Sequence, residues 1–269
     1  MRSLIRWSAA LGVFAGSVIG TMMAGNLAAF ALSQEQILER LRSVPVFTIT
    51  DENGSPLVAA PENTTEGAEP GTPVAGVFIS QDDAENFLDN LRSQNPTLVE
   101  DVQVVPVSLA EVYQLAVTSR ETNAGLEFVF VPMIDQVESA VTLLQSQGYE
   151  IEEFEGVPLF IARSLEGEGG FLTVESGAVS PDGTPTGGQE QFIPIFFEQV
   201  QIESMLSRLS EVQPDLAGTV EIQVINLEGL IETLQTSDND ELNRILLIPP
   251  TDSLQYLQGA PAEQMPPAQ

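Results

Sequence analysis

Apolar residues recur along this chain at two spacings, three to four apart in some stretches and two apart in others. Ala84, Phe87, Leu88 and Leu91 fall at i, i+3, i+4 and i+7, the spacing of one buried helical stripe. Ser80 with Asp83 opens that helix, and Pro96 lies just beyond it. Before it, Val74 to Ile79 reads as a strand. After it, Val102, Val104 and Pro106 alternate along another. Ser108 and Glu111 then form a capping box for a helix facing inward with Leu109, Val112, Tyr113 and Ala116. Gly125 precedes strand Leu126 to Val131, and a helix from about Asp135 carries Val137, Val141 and Leu144. At the front, Ser33 and Gln36 cap a helix marked by Ile37, Leu38 and Leu41. Strands Val44 to Thr50 and Pro56 to Ala59 follow, joined by the turn residues Asp51 to Gly54.

The pattern then occurs a second time. Residues 78–119 and 196–237 align without a gap at an offset of about 118, with Phe78 on Phe196, Leu88 on Leu206, Val102 on Val220 and Leu109 on Leu227. Pro132 falls on Pro250 at the same offset, and Val44-Pro45-Val46-Phe47 recurs as Val157-Pro158-Leu159-Phe160. The second copy reads as strand 157–162, a Gly-rich loop 166–188, strand 192–197, helix 200–211, strand 220–225, helix 227–236, strand 242–248 and a short helix from Thr251. Two copies are too few for a solenoid. The expected fold class is α+β, two pseudo-symmetric lobes from an internal duplication, with mixed sheets and packed helices. On this reading Phe87 and Met205 are equivalent and buried.

The first 31 residues stand apart. Arg2 and Arg6 precede an apolar, small-residue stretch, and Ala29-Phe30-Ala31 fits the A-x-A cleavage rule of an export signal. An uncleaved anchor is the alternative, since the apolar run reaches spanning length. The expected organisation is a signal peptide at 1–31, a first lobe at 32–155, a second at 156–258 and a disordered tail at 259–269. The mature chain then works outside the cytoplasm, in a periplasm or a thylakoid lumen, without stable membrane insertion after cleavage.

Composition narrows the chemistry. The chain holds 39 acidic residues against nine arginines, with no Lys, His or Cys, and a formal charge of -30. Such a charge disfavours nucleic acid and bare anionic membranes, because binding phosphates depends on Lys and Arg. Without imidazole, thiolate or amine, most general-base and nucleophile arrangements cannot be built, and the usual zinc ligands are missing. No G-x-S-x-G elbow, P-loop or dinucleotide fingerprint occurs. Paired carboxylates survive in principle, but spacing singles out none of the acids. Asp51, Asn53, Ser55 and Glu62 occupy oxygen-ligand places of an EF-hand loop, yet Pro56 stands where that loop demands glycine. A polar hairpin turn is the reading that fits. The expectation is no enzyme activity, no metal and no cofactor.

What remains is apolar. Phe196 and Phe197 are adjacent in a strand, so they point to opposite faces, and one must look away from whatever the other packs on. Met133 and Ile134, just after Pro132 at a strand end, form a second such pair. At least one member of each pair is expected to be partly exposed in an apolar depression, and apolar side chains rimmed by acid suit unfolded or extended polypeptide. Met133, Ile134, Phe196 and Phe197 are therefore the candidate polypeptide-binding residues. A module that only docks on a folded membrane-bound partner is the alternative.

The run 41–57, LRSVPVFTITDENGSPL, resembles the opening of the family of the 22-kilodalton subunit of the chloroplast inner-envelope protein translocon. Residues 77–88 and 102–112 resemble its next two blocks, and the similarity covers about 33 to 258. The bacterial-type signal suggests a cyanobacterial-type member. The resemblance implies two lobes with apolar grooves and a chaperone-like role in protein transport toward outer-membrane barrel-assembly machinery. It offers no catalytic residues to carry over.

Overall fold

A computed structural model of the chain describes residues 32–59, 72–122, 125–165, 170–176 and 190–259. The expected signal peptide, most of the acidic loop at 60–72 and the tail beyond residue 259 lie outside the described residues.

Eighteen labelled elements follow one another: α1 (Gln34–Leu41), β1 (Pro45–Asp51), β2 (Val58–Ala59), β3 (Val74–Phe78), α2 (Gln81–Gln94), β4 (Val102–Ser108), α3 (Leu109–Glu121), β5 (Glu127–Val131), α4 (Ile134–Ser146), β6 (Pro158–Ser164), β7 (Val174–Ser176), β8 (Glu190–Phe196), α5 (Gln199–Val212), α6 (Pro214–Ala217), β9 (Val220–Asn226), α7 (Leu227–Thr236), β10 (Ile245–Ile248) and α8 (Thr251–Gly259). The caps expected from the sequence form. Ser33 with Gln36 and Ser108 with Glu111 close reciprocal capping boxes, and the Ser80 side chain accepts from the Asp83 N–H. Each satisfies backbone N–H groups that the first helical turn leaves open.

The fold is mixed α and β, with two five-stranded sheets and packed helices. In the first sheet β3 lies between β1 (antiparallel) and β5 (parallel), β4 pairs with the far side of β1, and β2 extends the β1 hairpin against β3. In the second, β8 lies between β6 (antiparallel) and β10 (parallel), β9 pairs with β6, and β7 lies against β8. The strand connectivity of the two sheets is the same. Register moves one sequence match by a residue. Val131 sits beside Phe78 and Ile248 beside Phe196, so Pro132 stands in the place of Pro249, not Pro250. The Gly-rich stretch read as one loop at 166–188 also contains β7, and Phe171 just before it packs against the interior.

Burial divides into three layers of apolar contact. A central cluster unites one face of each sheet: Val46, Val77 and Ile79 from the first, Leu159, Ile161, Ile193, Ile195 and Leu247 from the second. Helices α1, α3 and α7 lie in it through Leu41, Leu109, Val112, Leu227 and Leu234. The Gln235 amide of α7 donates to the Tyr113 hydroxyl of α3 at 2.9 Å. On the outer face of the first sheet, Phe47, Ile49 and Phe78 pack with Ala84 and Leu88 of α2. On the outer face of the second, Phe160, Ala162 and Phe196 pack with Ala140 of α4 and Ile202 of α5.

Helix α4 thus follows a strand of the first sheet but covers the second. Its Gln136 side chain accepts from the Gln199 N–H at the start of α5. Helix α8 runs the other way: the Ser253 hydroxyl, buried, donates to the carbonyl of Ile79 in the first half at 3.2 Å. A cut between residues 155 and 156 separates the strands of the two sheets but not their helical layers.

Candidate functional site

The central face of the first sheet is covered only in part. Along β1 that face carries Val46, Thr48 and Thr50, and opposite them on β4 stand Val107, Val105 and Gln103. Val46 and Val107 run into the central cluster. Beyond them the face opens into a groove of about 360 Å³ whose floor is Thr48, Val77, Val105 and Phe128, with Val112 and Leu115 of α3 as one wall. Val77 is fully buried, whereas Leu115 keeps 57 % of its surface in solvent. The groove is therefore apolar, lined by a sheet and a helix, and open along one side, a shape suited to side chains of an extended segment.

Acid surrounds its mouth, where Asp51, Glu52 and Glu111 contribute. Two of these are fixed by backbone hydrogen bonds. The Asp51 carboxylate accepts from the N–H groups of Ser55 (2.8 Å) and Asn53 (2.9 Å) across the turn in which Gly54 takes φ +80°. The Ser55 N–H does most to hold the Asp51 carboxyl below its ordinary value. Glu111 Oε2 accepts from the Ser108 N–H at 2.8 Å and from its hydroxyl at 2.9 Å. The candidate cation residues Asp51, Asn53 and Ser55 thus serve a hairpin turn, and Glu62 lies outside the described residues.

One polar atom in the groove is unmatched. Thr50 is 5 % exposed, and among the described residues its Oγ1 has no hydrogen-bond partner. A buried hydroxyl left so costs on the order of 1–3 kcal/mol. The Oγ1 atom is closed to solvent, so an occupant could bond to it and recover that cost only where binding shifts the side chains around it.

The four residues singled out from sequence do not meet in this groove. Phe197 is fully buried in the central cluster and Phe196 is 7 % exposed in the outer one. They do point to opposite faces, as alternation requires, but β8 has a packed layer on each side. The expectation that one of the two is exposed fails for that reason. Met133 caps α4 half-buried against the central cluster, and Ile134 beside it is 71 % exposed. That pair meets the expectation of partial exposure, at the end of β5 where Val131 adjoins Phe78, away from the groove residue Phe128. Phe87, expected buried, is 48 % exposed, and Met205 is half-buried.

The groove residues carried a signal that alternation alone did not isolate. The run Val102-Gln103-Val104-Val105-Pro106-Val107 carries valines on both faces, so β4 needs apolar cover on each. Outside, Leu88 and Val99 with their cluster supply it; inside, only the edge of α3 does.

Comparison with known proteins places this architecture. The sequence profile of the Tic22-like family matches residues 4–258. The chain is 27 % identical over 223 residues to the Arabidopsis thaliana chloroplastic protein TIC 22-like, an alignment spanning 81 % of this chain and 62 % of that relative. It is 26 % identical over 230 residues to chloroplastic TIC 22 of the same plant, spanning 84 % of this chain and 72 % of that one. The solved structure of Anabaena Tic22, a protein of protein transport, superposes with a TM-score of 0.72 at 28 % identity, covering 88 % of this chain and all of that one. Tic22 from Plasmodium falciparum shares the fold, with a TM-score of 0.56 at 22 % identity over 82 % of this chain and 96 % of that one.

Proposed function

The chain belongs to the Tic22-like family, and from that premise we propose that it serves protein transport as a chaperone-like binder of unfolded or extended polypeptide, outside the cytoplasm. The observation that carries this reading is the groove between β1, β4 and α3: apolar inside, acidic at the mouth, with the Thr50 hydroxyl, unpartnered among the described residues, beneath it. An apolar side chain of the client would fill the space over Val77 and Val105, basic flanking residues would meet Asp51, Glu52 and Glu111, and the client backbone would reach Thr50 only where binding opens that side of the groove. Binding rather than catalysis is supported by a chain without His, Cys or Lys. Among the described residues no helix is long and apolar enough to cross a membrane. Periplasm or thylakoid lumen as the compartment, and delivery toward outer-membrane barrel-assembly machinery, belong to the same proposal.

The test is suppression of light scattering by an aggregating client. Leu115→Asp, at an exposed position, should leave the melting temperature unchanged and reduce protection, because it places charge in the groove wall. Full protection by a folded Leu115→Asp protein would sink the groove as the client site. No protection by the wild-type chain would move the function to that of an adaptor that docks on a folded partner.

A further inference from the structure

Both sheets end in an edge strand, β4 in one and β9 in the other. An unpaired edge offers its outward N–H and C=O groups to any extended chain that approaches. The inward bond from the Leu109 N–H to the Val44 carbonyl makes 103, 105 and 107 the residues bonded to β1, so 102, 104, 106 and 108 face outward. The same argument from the Leu227 N–H and Val157 carbonyl turns 220, 222, 224 and 226 outward on β9.

On β4 three of these positions are closed. Arg92 donates to the Val102 carbonyl at 3.2 Å, Pro106 has no N–H to offer, and the Ser108 N–H is taken by Glu111. At the 118-residue offset β9 has lost all three devices: Ser210 stands for Arg92, Val224 for Pro106 and Gly229 for Glu111. One group is occupied, the Ile222 carbonyl, which accepts from Gln147 at 2.7 Å. Among the described residues no partner meets the N–H groups of Ile222, Val224 and Asn226 or the carbonyl of Val224.

We infer that the β9 edge is a docking surface that takes a basic, extended strand from a partner protein, adding it to the second sheet. Charge selects this occupant. Phe154 packs on the same outer cluster as Ile222 and Val224, and the exposed Glu152, Glu153 and Glu155 flank it in sequence. Glu221 lies on β9 itself. A second copy would bring the same acids and another -30 of charge to the edge, whereas a strand carrying arginine or lysine meets complementary charge. This surface stands apart from the groove and does not depend on it.

The test uses the full chain and a short fluorescein-labelled peptide that alternates valine and threonine between terminal arginines. Val224→Pro removes one outward N–H, as Pro106 does on β4, and should weaken binding about tenfold while the chain stays folded. Asn226→Ser with Gly229→Glu recreates the Ser108–Glu111 box and should do the same, which keeps the inference testable if the proline variant misfolds. Bound peptide should slow hydrogen exchange at the Val224 and Asn226 amides of the wild-type chain. Equal binding by wild type and the double variant, or peptide without protection of those amides, overturns the inference. A concentration-dependent dimer that Val224→Pro abolishes, with no peptide binding, assigns the edge to a second copy and overturns it too.

Discussion

Phe87 lies against Phe78 with ring centroids 5.4 Å apart and planes tilted by 48°, yet only Phe78 belongs to the core. Phe78 is 5 % exposed on the outer face of the first sheet, and Phe87 covers it from α2 with half its own surface in water. Phe78→Ala should cost about 3–5 kcal/mol as a large core truncation, while Phe87→Ala should cost about 1 kcal/mol for the ring pair and partial burial. Denaturant midpoints of the two variants decide it. Equal losses would mean that α2 docks through Phe87 rather than through Ala84 and Leu88.

Burial of Glu228 makes a pH prediction possible. Desolvation is the largest influence and raises its pKa above 4.5, while the hydrogen bond from the Val157 N–H at 3.2 Å opposes it. The folded state therefore holds this proton to higher pH than the unfolded chain does. Its contribution to stability is unfavourable above the raised pKa and fades as pH falls toward 4.5. Glu228→Gln keeps an oxygen for Val157 and removes the charge. The variant should match or exceed wild-type stability at neutral pH, with the difference shrinking on acidification. Denaturation curves at several pH values should show the two proteins converging; a variant less stable at neutral pH would show that the charge itself is needed.

Much of the fold was legible because its signals are local. The caps at Ser33, Ser80 and Ser108, the stripe of Ala84 and Leu88, and the alternation of β4 each depend on neighbours within a few residues. What was illegible depends on which layers meet. Alternation predicts one exposed member in the pair Phe196 and Phe197, and both are buried because α4, arriving from the first half, joins α5 over one face while the central cluster fills the other. Nothing in the period of α4 says which sheet it covers. The groove was missed for a related reason: Val105 looks like core until α3 is found to cover that face of β4 only along its edge. The one-residue shift of Pro132 onto Pro249 reflects one residue fewer between the start of α7 and the end of β10 than between the start of α3 and the end of β5, which a gapless alignment cannot register.

Charge at the groove mouth sets a salt dependence. Asp51 and Glu111 are held in place by backbone N–H groups, so their field is directed at the opening rather than averaged over mobile side chains. Binding of a client with basic flanks should weaken as salt rises, since screening at physiological ionic strength already limits the field to about 8 Å. Titrations of a basic and a neutral client across a salt series separate this from plain solubility. If both clients respond alike, the rim does not select.

The Thr50 hydroxyl separates stability from binding. Among the described residues its Oγ1 is buried without a partner, so Thr50→Val removes a penalty and leaves nearly the same shape behind. The variant should be more stable by about 1 kcal/mol, toward the low end of what an unsatisfied buried group costs. If a client backbone bonds to Thr50, the same change should weaken client binding several-fold, because the occupant now buries its own polar group against a methyl. A core residue without function would show only the first effect. Thermal denaturation and client affinity, measured on one preparation, read both. A more stable protein with unchanged affinity would remove Thr50 from the site and leave the groove to act through its apolar wall and acidic rim alone.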